Sequence, residues 1–187
     1  RVGAEGKFGS AGRHENHGTL AVSTPRVARG YVQEVDFGFW AKTWLAEKLR
    51  GRTQHEGTCT IVVIGLMEAQ SEIHASLKIK DGRRALFYDL TLICSWKGTV
   101  APLSANHNMQ GVIRLYNIGQ ETKYNPGGDK ETSYMYELGF PQCHFGTTEP
   151  WAETIKTQAA ELFHIICDVV QEWVAAFHKK ASETKVG

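Results

Sequence analysis

Apolar and polar residues alternate from Glu72 to Lys80, which is the period of a β-strand with one buried face. The apolar positions are Ile73, Ala75, Leu77 and Ile79. Asp81-Gly82 then interrupts the pattern, and a second strand-like run extends from Arg84 to Trp96. Asp-Gly between two such runs predicts a β-hairpin with a type I′ turn, because Gly accepts the positive φ that this turn requires.

Two further segments have the spacing of helices. Between Asp36 and Arg50 the apolar residues follow helical periodicity, and Gly51 is suited to the position just after a helix end. From Pro150 to Lys180 the apolar stripe is broader than a coiled-coil seam, which predicts a helix packed on a sheet. The main positions of this stripe are Ile155, Ala159, Leu162, Ile166, Val169, Trp173 and Phe177.

Three shorter segments are predicted strands: Thr58–Leu66, Gln110–Tyr116 and Thr132–Leu138. The predicted long helix spans about 46 Å, and a strand from Arg83 to Lys97 spans about 50 Å. Because these lengths match, we expect the helix to lie along that strand. The predicted fold class is α+β, elongated, with an N-terminal helix, a four-stranded antiparallel meander (five strands if the last segment pairs) and a long C-terminal helix packed along the sheet.

The composition bounds the domain organisation. At 187 residues and 42% hydrophobic, the chain has room for one domain with a substantial core. Residues 1–30 are rich in Gly, Ser and Arg without periodicity, so we predict a disordered N-terminal extension. The domain is predicted to cover 31–181, and 182–187 to form a disordered tail.

Charge and cysteine usage narrow the function classes. The 21 basic and 20 acidic residues nearly balance, so we expect no nucleic-acid partner. No apolar run is long enough for a membrane span, and no signal-peptide core is present, so we expect a cytoplasmic protein without membrane association. Cys59, Cys94 and Cys167 lie among apolar residues and are interpreted as reduced core thiols.

Catalytic motifs are absent from the sequence: there is no HExxH, no zinc-type Cys/His cluster, no GxSxG and no phosphate-binding loop. Cys143 and His144 are adjacent, but neighbouring side chains on an extended segment point in opposite directions. We therefore expect no enzyme, no metal site and no cofactor. An enzyme that uses Cys143 or His144 stays open as the weakest alternative.

The charged residues of the hairpin are the candidate binding patch. They comprise the tip, Lys80, Asp81, Gly82, Arg83 and Arg84, and the incoming-strand residues Glu72, His74 and Lys78. Dense charge on a rigid stem suits protein binding. It equally suits a solubilising edge that blocks strand-to-strand aggregation, and the residues alone leave both readings open.

The order of motifs resembles the N-terminal domain of the activator of heat shock protein 90 ATPase. The segments that carry the resemblance are Trp40–Gly51, Lys80–Arg83 with Leu86–Leu90, Trp96–Gly98 and Gly111–Leu115. The resemblance extends from about Phe37 to Phe177. It implies a non-catalytic, monomeric cochaperone domain that binds the middle domain of heat shock protein 90 and stimulates its ATPase.

The resemblance also implies site residues. Family members have an Arg-Lys-Gly-Lys hairpin tip, at the positions of Lys80, Asp81, Gly82 and Arg83 here. His74, with Glu72 on the same face, takes the place of an acidic contact residue. Arg29–Gln33 stands in place of the family's Asn-rich, double-Trp motif. The resemblance therefore implies that the chain binds the chaperone but stimulates its ATPase less strongly. The family's second, helix-grip domain does not follow, so the chain is expected to be an excised domain or a single-domain relative.

The main alternative is a carrier of a small apolar ligand or lipid. Its ligand would lie between the long helix and the sheet, which requires a roomy apolar cavity. The bulky residues of the helix stripe predict a filled core instead.

Overall fold

The computed structural model describes residues 32–101, 108–122, 124, 133–140 and 149–185. The predicted disordered extension, 1–30, lies outside these residues, as do Cys143 and His144. The elements are β1 Gln33–Asp36, α1 Gly38–Leu49, β2 Thr53–Glu56, β3 Cys59–Leu66, β4 Glu72–Lys80, β5 Arg83–Val100, β6 Asn108–Gly119, β7 Met135–Gly139 and α2 Pro150–Glu183. The α+β class, the early helix and the long C-terminal helix on the sheet are therefore as predicted.

The antiparallel sheet has seven strands rather than four or five, and β5 is its centre. Along one edge, β5 pairs with β6, which pairs with β7. Along the other edge, β4 pairs with the first half of β5 and β3 with the second half. The strands β4 to β7 form a meander, but β3 pairs with β5 and not with its chain neighbour β4.

The two strands that the pattern did not predict are β1 and β2, which lie outside β4 and β3. Each has four residues, mostly polar, with sequences Gln-Glu-Val-Asp and Thr-Gln-His-Glu. Four residues are too few to establish a period of two, and an edge strand needs little apolar surface. Their pairing is decided by neighbouring strands, not by their own composition.

Helix α2 runs antiparallel to β5 along its whole length, as the matched lengths predicted. Ile155 packs at Gly98, Phe177 packs on Tyr88 with ring centroids 6.4 Å apart, and Ala181 lies at Arg84. The helix ends at Glu183, so the first two residues of the predicted disordered tail are helical.

Aromatic side chains fill the space between α2 and the half of the sheet near the hairpin. Trp173 and Phe177 are fully buried and stacked, with centroids 5.3 Å apart. Tyr88 meets Trp173 edge to face, and Trp40 from α1 packs on both helix residues. These rings occupy the interface in which the carrier alternative would place its ligand.

The predicted core thiols are buried. Cys59, Cys94 and Cys167 are free cysteines in the core, as predicted. Burial raises the pKa of the Cys94 and Cys167 thiols to about 12, because a thiolate would lose its hydration there. Both are therefore kept protonated at neutral pH and act as small apolar side chains.

Candidate functional site

The β4–β5 hairpin has the turn that its sequence predicts. Asp81 and Gly82 have φ values of 51° and 75°, so both central residues adopt the left-handed conformation of a type I′ turn. Lys80 and Arg83 are directly paired across the turn. All four tip residues, Lys80 to Arg83, are exposed.

Alternation along the hairpin separates its side chains onto two faces. One face turns towards α2 and carries Ile79, Leu77 and Ala75, paired with Arg84, Leu86 and Tyr88. The opposite face is here called the outer face. It consists of Glu72, His74, Ser76, Lys78 and Lys80 on β4, with Arg83, Ala85, Phe87 and Asp89 on β5.

An aromatic residue that the sequence analysis did not select lies on the outer face. Phe87 is 45% exposed, and the Lys78 ammonium lies 5.2 Å from its ring centroid. Lys78 also lies 3.8 Å from a Glu34 carboxylate oxygen on β1. The available signal was the alternation itself, which places Phe87 among the polar positions of the strand and therefore at the surface.

A shallow depression of about 350 Å³ lies beside Phe87 on the same face. Its walls are partly acidic, because Glu34 and Asp36 project from β1. Asp36 is already bonded: its Oδ1 accepts the Gly38 N–H at 2.7 Å, ahead of helix α1. His74 and Lys78 of β4 also line the depression, so acidic and basic side chains lie together there.

The predicted site residues do not form one cluster. Lys80, Asp81, Gly82 and Arg83 lie at the tip, and Lys78 and His74 follow along the outer face. Glu72 is paired with Thr91 at the far end of β4. It is eight residues from Lys80, or about 26 Å along an extended strand. The predicted patch is therefore a long stripe.

Arg84 belongs to the other face. Its Nη1 donates to the carbonyl oxygens of Ala181 at 3.1 Å and Ser182 at 3.2 Å, and its Nη2 donates to that of Thr184 at 2.7 Å. Because these carbonyls lie at the C-terminal end of α2, Arg84 caps the helix and ties it to the hairpin. Arg84 was predicted to contact a partner, but within the molecule its guanidinium is already bonded to the end of α2.

Solved structures include chains that are similar to this one. The crystal structure of Aha-1 from Plasmodium falciparum is similar with a TM-score of 0.42 and 13% sequence identity, over 82% of this chain and 96% of that chain. No family model matches the sequence, and no curated protein matches it. A TM-score of 0.42 at 13% identity gives no information about function. The chain's own residues are therefore the basis for a functional proposal.

Among residues 32–101, 108–122, 124, 133–140 and 149–185, no group of three or more His, Cys, Asp or Glu could hold a metal ion. In the same part of the chain, no helix has the length and apolar character to cross a membrane. The outer face offers the cationic side chains Lys78, Lys80 and Arg83 and one exposed ring, that of Phe87.

Proposed function

We propose that this chain is a cochaperone domain that binds the middle domain of heat shock protein 90 through the outer face and stimulates its ATPase. The order of the sequence motifs suggests this partner. The observation that carries the proposal is the position of Lys80, Arg83 and Phe87 on one face of one rigid hairpin. The domain has no catalytic part in this proposal.

The chemistry of the outer face suits an acidic partner surface with an apolar centre. Phe87 supplies apolar area that becomes buried in the complex, and aromatic residues of this kind often dominate interface energies. Lys80 and Arg83 supply charge that speeds association and makes it dependent on salt. The type I′ turn fixes these groups before binding, so little conformational entropy is lost.

Stimulation of the ATPase requires a preference between chaperone conformations. A bound protein shifts an equilibrium only as far as its affinities for the two states differ. The domain therefore binds the closed, ATP-hydrolysing state more tightly than the open state. Asp81, which has the opposite sign to its neighbours at the tip, reduces the attraction of Lys80 and Arg83 for an acidic surface.

The test is calorimetric titration of the chaperone's middle domain with the unaltered chain and with Lys80→Glu combined with Arg83→Glu. We expect the double variant to bind at least about tenfold more weakly, because two attractive charges become repulsive. Lys97→Glu is the matched control, since Lys97 is also exposed on β5 but lies at the other end of the strand. Unchanged affinity in the double variant would rule out the outer face.

Two further measurements complete the test. Phe87→Ala should weaken the same binding and leave the thermal melt close to that of the unaltered chain, because 45% of the residue is already exposed. The ATPase rate of the full-length chaperone, with and without the domain, then separates binding from stimulation.

The carrier alternative is tested separately by native mass spectrometry of the purified chain. A retained apolar ligand would favour it.

A further inference from the structure

The C-terminal end of α2 has few contacts with the core. Phe177 is fully buried, but of residues 178–185, all of which the structure describes, Ala181 is the one that is buried. A segment with so little buried apolar surface opens locally at a low cost in free energy. The last turn of α2 can therefore open while Phe177 and the rest of the helix stay packed on the sheet.

Polar contacts hold this last turn closed. The Ser182 hydroxyl donates to the Lys179 carbonyl oxygen at 2.6 Å, within the helix itself. From β5, the Arg84 guanidinium donates to the carbonyl oxygens of Ala181, Ser182 and Thr184. Because these three bonds tie the turn to another element, Arg84 restrains its opening.

Two basic residues precede Ser182 at a defined spacing. Lys179 and Lys180 stand three and two residues before it, and no other Ser or Thr in the sequence has Lys or Arg at both of these positions. Ser182 and both lysines are exposed. Cations at these two positions are the pattern that basic-directed Ser/Thr kinases select, because their substrate grooves are acidic.

We propose that Ser182 is a phosphorylation site for a Ser/Thr kinase that selects basic residues ahead of its target, and that the Arg84 cap limits the rate of this modification. The open turn presents Ser182 Oγ in line with the γ-phosphorus of ATP. The Oγ–P bond forms, the bond from the γ-phosphorus to the β–γ bridging oxygen breaks, the hydroxyl proton passes to the base of the kinase, and ADP leaves. The site goes beyond the proposed chaperone contact, because it needs neither the outer face nor the chaperone.

Thr53 provides an internal comparison. Arg50 and Arg52 stand three residues and one residue before it, and Thr53 is also exposed. Thr53 is paired with Val62, however, and β2 is paired with β3 along its whole length. A kinase could reach Thr53 only after these strands separate, so the structure favours Ser182.

The experiment incubates the full chain with Mg²⁺, ATP and the catalytic subunit of cAMP-dependent protein kinase. Peptide-mapping mass spectrometry then measures the rate of phosphorylation at each residue. We expect phosphate on Ser182, and a rate at Thr53 that is at least about tenfold lower. A synthetic peptide of residues 178–185, which has no cap, should be phosphorylated faster than the full chain.

Two pairs of variants separate the contributions of charge and of the cap. Lys179→Ala should slow phosphorylation of Ser182 about tenfold, because the acidic groove of the kinase loses a cation. Its matched control is Lys185→Ala, which removes an exposed lysine three residues after Ser182 and should leave the rate unchanged. Arg84→Ala should raise the rate about fivefold, because the open turn becomes more populated. Its matched control is Arg83→Ala on the outer face, which should not change the rate.

Three results would overturn the proposal. Absence of phosphate from Ser182 of the full chain, whether or not the peptide is modified, would remove the site. Equal rates at Ser182 and Thr53 would show that local structure does not select between them, and equal rates in Arg84→Ala and Arg83→Ala would remove the role of the cap. Since the assay contains no chaperone, its outcome is separate from the test of the outer face.

Discussion

The two ends of β5 are stabilised in different ways. At the C-terminal end, Trp96 is fully buried, and Gly98 and Gly111 leave no room for a side chain. A Cβ on Gly98 would lie 2.5 Å from Ile155 Cγ2, and one on Gly111 would lie 2.5 Å from the Gly139 carbonyl oxygen. At the N-terminal end, the tip is exposed, and the hairpin is tied to α2 by the hydrogen bonds of Arg84.

This difference shows that one strand combines a closely packed end with an exposed end. The closed end, here meaning the surroundings of Trp96, Gly98 and Gly111, depends on close contact, so even one added carbon disturbs it. The open end, Lys80 to Arg84, is held by a turn and by polar contacts, so its exposed side chains can change without loss of the fold. Substitutions at the closed end should therefore lower the free energy of unfolding much more than substitutions at the open end.

The largest expected effect is that of Gly111→Ala. The new methyl group would meet the backbone of β7 and, at 2.5 Å, the indole of Trp96. We expect a loss of about 2–3 kcal/mol in the free energy of unfolding, measured by urea denaturation.

Gly119→Ala, in the same strand, is the control for Gly111→Ala. Its Cβ would lie 3.6 Å from the nearest atom, the Tyr88 carbonyl oxygen, which is an ordinary contact. We expect a change within about 0.5 kcal/mol. Similar losses at both positions would contradict close packing as the cause.

A smaller effect is expected from alkaline pH at the closed end. The Cys94 pKa is raised by burial from 9.0 to about 12, so above pH 9.0 the unfolded chain releases this proton and the folded chain retains it. Stability is therefore fully present below pH 9.0 and falls as pH rises towards 12, and the first pH unit above 9.0 costs at most about 1.4 kcal/mol from this thiol.

The measurement is the free energy of unfolding in urea under reducing conditions, at pH values below and above 9.0, the ordinary pKa of the thiol. Cys94→Ala should lose less stability than the unaltered chain as pH rises, although it starts lower because of the small cavity. Cys167 and Tyr134, whose pKa values are also raised to about 12, mainly by burial, add to the pH dependence. Cys59, Tyr88 and Tyr124, whose pKa values burial also raises, contribute as well. An unchanged slope in Cys94→Ala would contradict the assignment.

The smallest effect compares two neighbouring arginines at the open end. Arg84→Ala removes three hydrogen bonds to the end of α2 and should cost about 1 kcal/mol, since the site is partly exposed to solvent. Arg83→Ala, on the outer face, should change the stability by less than about 0.5 kcal/mol. Thermal melts of both variants, measured together, give the comparison. Equal melting temperatures for Arg84→Ala and Arg83→Ala would contradict the interpretation of Arg84 as a helix cap.

Much of the fold followed from periodicity. The alternation from Glu72 to Lys80, the Asp81-Gly82 turn and the stripe of α2 each predicted an element that the structure contains. The strands β1 and β2 did not follow, because four polar residues at a sheet edge show no period. The pairing of β3 with β5 instead of β4 could not be predicted either, because a strand's own pattern identifies its buried face but not its neighbour.

The candidate site was only partly visible in the sequence. The exposed charges Lys80 and Arg83 were predicted, since a turn between two strands lies at the surface. Phe87 was missed because an apolar residue in a strand is usually assigned to the core. Arg84 was predicted to contact a partner because the sequence places it beside the exposed turn, whereas its actual partners at the end of α2 are about 100 residues away in the chain.

By itself, the sequence determined the local elements: the turn conformation, the buried face of each long strand and the length of α2. These depend on backbone sterics and on the burial of apolar side chains at fixed intervals. Only the tertiary structure decided that neighbouring residues of β5 have unlike roles, with Arg83 exposed at the tip and Arg84 capping α2. That choice depends on contacts nearly one hundred residues apart in the chain, which no local pattern contains.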